Sequence, residues 1–154
     1  MGIDRVVAKQ YRDKVNQAHT RFGDFSIPPN GWLRMVRNAL GMTGTQLANR
    51  LGVTKARISK AEQDELTSSV TLKTMQKMAS AMNCRFVYAV VPESEIEEII
   101  KNRAYDKARK QIKHASTQMA LEAQALNDKQ LAFAVDELAT EIIKKMPSDL
   151  WNDE

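Results

Sequence analysis

The 154-residue chain has one cysteine, Cys84, and therefore cannot close an internal disulfide. Small extracellular scaffolds depend on such bridges, so their absence points to a reducing compartment. The chain also lacks any apolar run approaching the roughly 20 residues that span a bilayer. The longest such run, Phe86 to Val91, has the size of a strand. The N-terminus, Met1-Gly-Ile-Asp-Arg, has no apolar signal-peptide region, and Val6 stands where a myristoylation signal carries Ser or Thr. No phosphate-binding glycine loop, no Gly-x-Ser-x-Gly and no paired-cysteine spacing occurs. His19 and His114 lie far apart, without companions that would complete a metal site. These absences predict a soluble, cytoplasmic protein that is not an enzyme and uses no cofactor or metal.

What is present is an ordinary globular mix, 43% hydrophobic and 27% charged, with a net charge of +4. The charge is unevenly spread. Residues 1–30 carry five Lys/Arg against three Asp/Glu, residues 31–92 nine against three, and residues 93–154 nine against thirteen. A basic middle and an acidic tail imply two tasks in one chain, with a polyanion as the partner of the middle.

Ile3, Val7, Tyr11, Val15 and Ala18 recur at helical spacing, while Arg5, Lys9, Arg12 and Lys14 occupy the other faces. This helix should end before Phe22-Gly23, because Ser26-Ile-Pro-Pro-Asn-Gly31 is rich in breakers. Four short helices are then expected. The first carries Trp32, Leu33, Val36 and Leu40 and stops at Gly41. The second opens on the capping box Thr43-Gly-Thr-Gln46 and ends at Gly52, a left-handed C-cap. This stop and cap account for Gly41-Met-Thr-Gly44 better than an RNA-binding GxxG loop does. Thr54 caps the third, Lys55 to about Asp64, and Thr71 the fourth, with Met75, Met78 and Met82 on its inner side. Trp32 and Cys84 are expected to be buried.

Cys84-Arg-Phe-Val-Tyr-Ala-Val-Val91 reads as a strand, bounded by Asn83 and Pro92. A lone strand cannot satisfy its own backbone. It pairs either with its copy across a two-fold axis, which would put Arg85, Phe86, Val87, Tyr88 and Val90 in a dimer interface, or with an extended piece near Phe25-Ser-Ile27. Beyond Pro92, the cap Ser94-Glu-Ile-Glu97 opens a long stripe through Ile96, Ile100, Ala104, Ala108, Ile112, Ala115, Met119, Ala123 and Leu126. Asn127-Asp-Lys-Gln130 recaps, and Leu131, Val135, Leu138, Ile142 and Met146 carry a second stripe to Pro147, making a helical hairpin. Trp151 is expected to pack the tail back onto a helix. The expected organisation is thus 1–30, a basic helix and linker; 31–83, the four-helix domain; 84–92, a dimerising strand; and 93–154, the hairpin and tail.

Thr43 to Asp64 has the order helix, tight glycine turn, helix. Such a unit needs a small residue inside the bracing helix, a permissive turn and an apolar residue midway along the second helix; Ala48, Gly52 and Ile58 supply them. With Gln46-Leu-Ala-Asn-Arg-Leu-Gly-Val-Thr54 and Arg57-Ile-Ser-Lys-Ala-Glu62, residues 31–82 resemble the Cro/cI (XRE) helix-turn-helix family of repressors and antitoxins. The resemblance implies a mainly α chain with a five-helix-type, lambda-repressor-like domain, bound as a dimer to a palindromic operator. It places Thr54, Lys55, Ala56, Ser59 and Lys60 where a recognition helix faces the major groove. Lys55 and Lys60 have the donors for guanine O6/N7. Arg57 falls where backbone is touched, with Thr43, Thr45, Gln46, Arg34, Arg37, Arg50 and Lys73 as further phosphate candidates, and Glu62 where an acidic residue ties the helix down. Many members start the bracing helix with Gln; this chain has Gly44 there.

Met119-Ala-Leu-Glu-Ala-Gln124 and Met146-Pro-Ser-Asp-Leu-Trp151 are similar to the mobile mystery protein A family over nearly the whole chain. Its members typically sit beside a Fic-domain partner, which implies a toxin–antitoxin or autoregulated pair. The inhibitory motif of Fic antitoxins, Ser/Thr-x-x-x-Glu-Gly/Asn, is absent: Ile99 follows Ser94-Glu-Ile-Glu-Glu98. Two readings follow, a homodimeric repressor that binds double-stranded DNA and regulates its own operon, and an antitoxin that neutralises a partner enzyme through its C-terminal helices.

Overall fold

The computed structural model describes residues 2–121 and 126–153. Seven helices are formed among them: α1 (Gly2–Phe22), α2 (Trp32–Ala39), α3 (Gly44–Leu51), α4 (Lys55–Leu66), α5 (Leu72–Ala81), α6 (Ile96–Leu121) and α7 (Asp128–Lys145). They fall into two compact units, residues 24–89 and residues 1–23 with 90–154. The N-terminal helix thus belongs with the C-terminal hairpin rather than with the short helices that follow it in sequence. Ala123 and the Glu122-Ala-Gln124 end of the expected motif lie outside the described residues.

In the unit of residues 24–89, the expected punctuation is realised. The Thr43 hydroxyl accepts from the Gln46 amide while the Gln46 side chain accepts from the Thr43 amide, a reciprocal box that satisfies two donors at the start of α3. Gly52 ends α3 at φ 66°, a conformation in which a Cβ would crowd the carbonyl. Thr54 and Thr71 cap α4 and α5. Leu33, Leu47, Ala48, Ile58, Ala61, Met75, Met78 and Met82 form one buried core, so the methionines on α5 are packing residues. Trp32 is not in that core. It sits at the first position of α2, exposed, with its ring stacked on Phe25 at 5.5 Å. Cys84 is exposed as well.

The expected strand over 84–92 is not formed, and no β-strand occurs among the described residues. The segment is extended, but neither the Phe25-Ser-Ile27 stretch nor any other described residue adds a ladder to it. A single extended piece cannot close hydrogen bonds with itself. Phe86 instead packs against the core of α2–α5 and stacks with Tyr88, leaving Val87, Tyr88 and Val90 exposed. This unit therefore holds four helices followed by extended chain, not five.

In the other unit, α6 and α7 form the expected hairpin. The alanine stripe allows close approach: Ala104, Ala108 and Ala139 are fully buried beside Ile100, Ile142 and Leu150. The Asn127 and Gln130 box caps α7. The start of α6 was expected to be capped by Ser94; the side chain that meets the Ile96 amide is Asn16 of α1, at 2.8 Å. His19 Nδ1 lies 2.8 Å from the Pro92 carbonyl on the same side of α1. The tail folds back onto α6. Arg103 donates to the carbonyls of Leu150 and Asn152, Lys107 donates to that of Asp149, and Trp151 lies against the Arg103 guanidinium. Leu150, rather than Trp151, fills the core.

Candidate nucleic-acid interface

The second helix of the helix-turn-helix, α4, is two-sided. Ile58 and Ala61 are buried against the core, whereas Thr54, Lys55, Ala56, Arg57, Ser59 and Lys60 are all exposed. The Thr54 hydroxyl accepts from the Arg57 amide at 3.2 Å, so it is used as a cap at the helix end that leads this face. The α4 N-terminus carries partial positive charge from its aligned peptide dipoles and unpaired amides.

The far half of α4 is anchored to α2 by two carboxylates. Glu62 takes hydrogen bonds from Arg37 at 2.6 and 3.2 Å, and Arg37 also donates to the Met42 carbonyl at 3.0 Å. Both partners are largely buried, at 14% and 11% side-chain exposure, and the Glu62 bonds hold the Arg37 guanidinium still further from deprotonation. Glu65 accepts from the Trp32 and Leu33 amides at 2.6 and 2.9 Å, taking two free donors at the start of α2. Gly31, at φ 80°, makes room for it, since a Cβ there would stand 2.9 Å from the carboxylate. Sequence reasoning saw in Gly31 only a linker residue and in Glu65 nothing. The signal was a carboxylate on the last turn of one helix and a glycine just before another, and only the packing joins them.

These contacts divide the cations. Arg37 is engaged inside the unit, donating to Glu62 and to the Met42 carbonyl, and Arg50 donates to the Ala81 carbonyl at the end of α5. Lys60 is exposed but pairs with Asp64 one turn on, at 2.9 Å. The three acidic residues of 31–92, Glu62, Asp64 and Glu65, are thus all in the last half of α4 and all bound. Among the described residues, Lys55, Arg57, Lys73 and Arg34 form no salt bridge, and neither does Lys77, a cation that the sequence reading passed over.

Two grooves flank α4. One, of about 420 Å³, runs between the α2–α3 turn and the start of α4 and is lined by Thr43, Gly44, Lys55 and Ser59 among others. Lys55 lies over Gly44, where a Cβ would make only ordinary contact with its chain, at 3.7 Å. The other, of about 570 Å³, lies between α4 and α5 and is lined by Arg57, Lys60, Lys73 and Lys77 together with Thr71 at the start of α5. The sequence-derived base-reading residues are thus all exposed, and Arg57 and Lys73 line the same groove. Thr43 and Gln46 are committed to their capping box, while Thr45 is exposed.

Among the described residues, no group of His, Cys, Asp and Glu is placed to hold a metal ion, and no helix is long and apolar enough to cross a membrane. Residues 33–88 match the helix-turn-helix family, of Cro/cI type. No curated protein and no solved structure matches the chain. The matched stretch coincides with α2–α5 and the extended segment after them. A domain of this type is a DNA-binding regulatory module, and its presence over residues 33–88 suggests a DNA-binding transcriptional regulator.

Proposed function

We propose that the protein is a sequence-specific repressor that binds a palindromic operator as a homodimer and regulates its own operon. The observation that carries this reading is the separation of charge on α4. Glu62 and Glu65 are consumed in anchoring α4 to α2, and Asp64 pairs with Lys60. Lys55 and Arg57 on the exposed N-terminal half, with Lys73 and Lys77 in the groove beside it, form no salt bridge among the described residues. In a major groove, Lys55, Ala56, Ser59 and Lys60 would face base edges, while Arg57, Lys73 and Thr71 would face phosphates. Two copies would present their α4 helices roughly 34 Å apart on one face of the duplex.

Affinity should fall steeply with salt, because each phosphate contact releases counterions. Lys60→Ala should cost about 1–3 kcal/mol against the preferred operator and little on unrelated DNA if Lys60 reads a base. Selection of binding sites from a random duplex pool, followed by titration of the variant on both DNAs, tests this. An equal loss on both would assign Lys60 to the backbone.

The second reading, an antitoxin whose C-terminal helices engage an enzyme such as a Fic-domain protein, is supported by exposed Leu121 and Phe133 in the α6–α7 hairpin. Apolar side chains of this size so fully in water are characteristic of docking surfaces when they cluster. Phe133→Asp in the full chain should then abolish inhibition of the enzyme and leave operator binding intact.

A further inference from the structure

Helix α1 is 21 residues long and buries none of them. A helix draws most of its stability from packing an apolar face, and on α1 that packing stops at half-burial, reached in the stripe by Val7 and Ala18. The hydrogen bonds that fasten it to its own unit are made by Asn16 and His19, near its C-terminal end. Its apolar stripe runs from Ile3 through Val7 and Tyr11 to Val15, one turn before His19; Ile3 is 79% and Tyr11 69% exposed, Val15 37%, and Val7 half-buried. Asp4 and Lys14 border the same stripe, Asp4 one turn before Val7 and Lys14 one turn before Ala18.

The stripe is complementary to itself. Set antiparallel about a two-fold axis at the level of position 9, α1 brings each residue against the one whose number completes 18. Ile3 then meets Val15, Val7 meets Tyr11 and Asp4 meets Lys14, each pair occurring twice. Apolar positions face apolar ones, and the two charges that border the seam meet their opposites. A parallel pairing would instead set Asp4 beside Asp4 and Lys14 beside Lys14. A surface whose two halves complement each other is what a two-fold interface requires of a single sequence, and an unrelated partner would impose no such relation between positions 3–7 and 11–15.

We infer that α1 is a dimerisation helix whose occupant is α1 of a second copy of this chain, in antiparallel register through Ile3–Val15, Val7–Tyr11 and Asp4–Lys14. This rests on the homodimer reading above and locates its interface outside the helix-turn-helix unit.

Sedimentation of the full-length protein over a range of concentrations tests it. Tyr11→Asp, at an exposed position, should weaken self-association by roughly tenfold or more. Asp4→Lys should weaken it by roughly threefold, and Asp4→Lys combined with Lys14→Asp should restore it, because the salt pairing is only reversed. A dimer indifferent to Tyr11→Asp, or a double charge exchange no better than Asp4→Lys alone, overturns the inference. If that dimer is lost on Tyr88→Asp instead, the homodimer reading stands and the interface is the extended segment after α5. A wild-type chain that remains monomeric both free and on operator DNA overturns the α1 interface and the homodimer reading together.

Discussion

Removing the Glu65 carboxylate should loosen α4 from α2 by about 2 kcal/mol. In Glu65→Ala the Trp32 and Leu33 amides lose the acceptor that they hold at 2.6 and 2.9 Å. Loss of an N-terminal cap costs about 0.5–2 kcal/mol, and loss of a negative charge at a helix start costs about 0.3–1 kcal/mol more. Water reaches the Trp32 amide and replaces part of that bond, which keeps the sum near the middle of the combined range. Gly31→Ala acts on the same contact from the other side. An alanine at φ 80° is strained by about 1–2 kcal/mol, and its Cβ would also stand 2.9 Å from the Glu65 carboxylate. The collision disappears with the carboxylate and the backbone strain does not. In a double-mutant cycle Gly31→Ala should therefore cost about 1 kcal/mol less in the Glu65→Ala background than in the wild type. Urea unfolding followed by Trp32 fluorescence, in a Trp151→Phe background so that only this unit reports, gives the four numbers. A cost for Glu65→Ala under about 0.5 kcal/mol, or a cycle that closes with no coupling, would refute the assignment of Glu65 as the cap of α2.

Two further outcomes follow from the packing. Ile58→Ala, at a side chain only 2% exposed, should cost about 2–5 kcal/mol in the same assay and abolish operator binding through loss of α4's seat; retained affinity with an unfolded Trp32 signal would contradict it. The Glu97 carboxyl is held below its ordinary value of 4.5, first by the Asn16 side-chain amide. Its lowered folded-state pKa contributes stability that is present above that value and is lost as pH falls through the folded value. The thermal stability of the α1–α6 contact should therefore weaken on acidification below about pH 4.5, and Asn16→Ala should reduce that dependence, leaving the smaller share of the Glu97 backbone amide; an unchanged acid profile in the variant would count against the Asn16–Glu97 bond.

The local grammar of this chain is legible in its residues alone. Thr43, Gly52, Thr54, Thr71 and Asn127 act on amides and carbonyls within four residues of themselves, so their spacing is enough to place helix ends. The apolar periods likewise named Ile58, Ala48, the methionines of α5 and Ala104 and Ala108 of α6 as buried, because a helix's inner face follows from its repeat, whereas Ala115 of the same stripe is exposed. The exposed face of α4 is legible for the same reason, being what remains when Ile58 and Ala61 are turned inward. Tertiary structure decided whatever depends on groups distant in sequence. Glu65 reaches α2 across more than thirty positions, Asn16 caps a helix some eighty residues away, and Arg37 meets Glu62 instead of solvent. It decided, too, that the strand-like run after α5 stays unpaired and that Trp32 gives up the core to smaller side chains. A β-rich composition becomes a strand only when a second extended segment lies within hydrogen-bonding reach, and none of the described residues brings one.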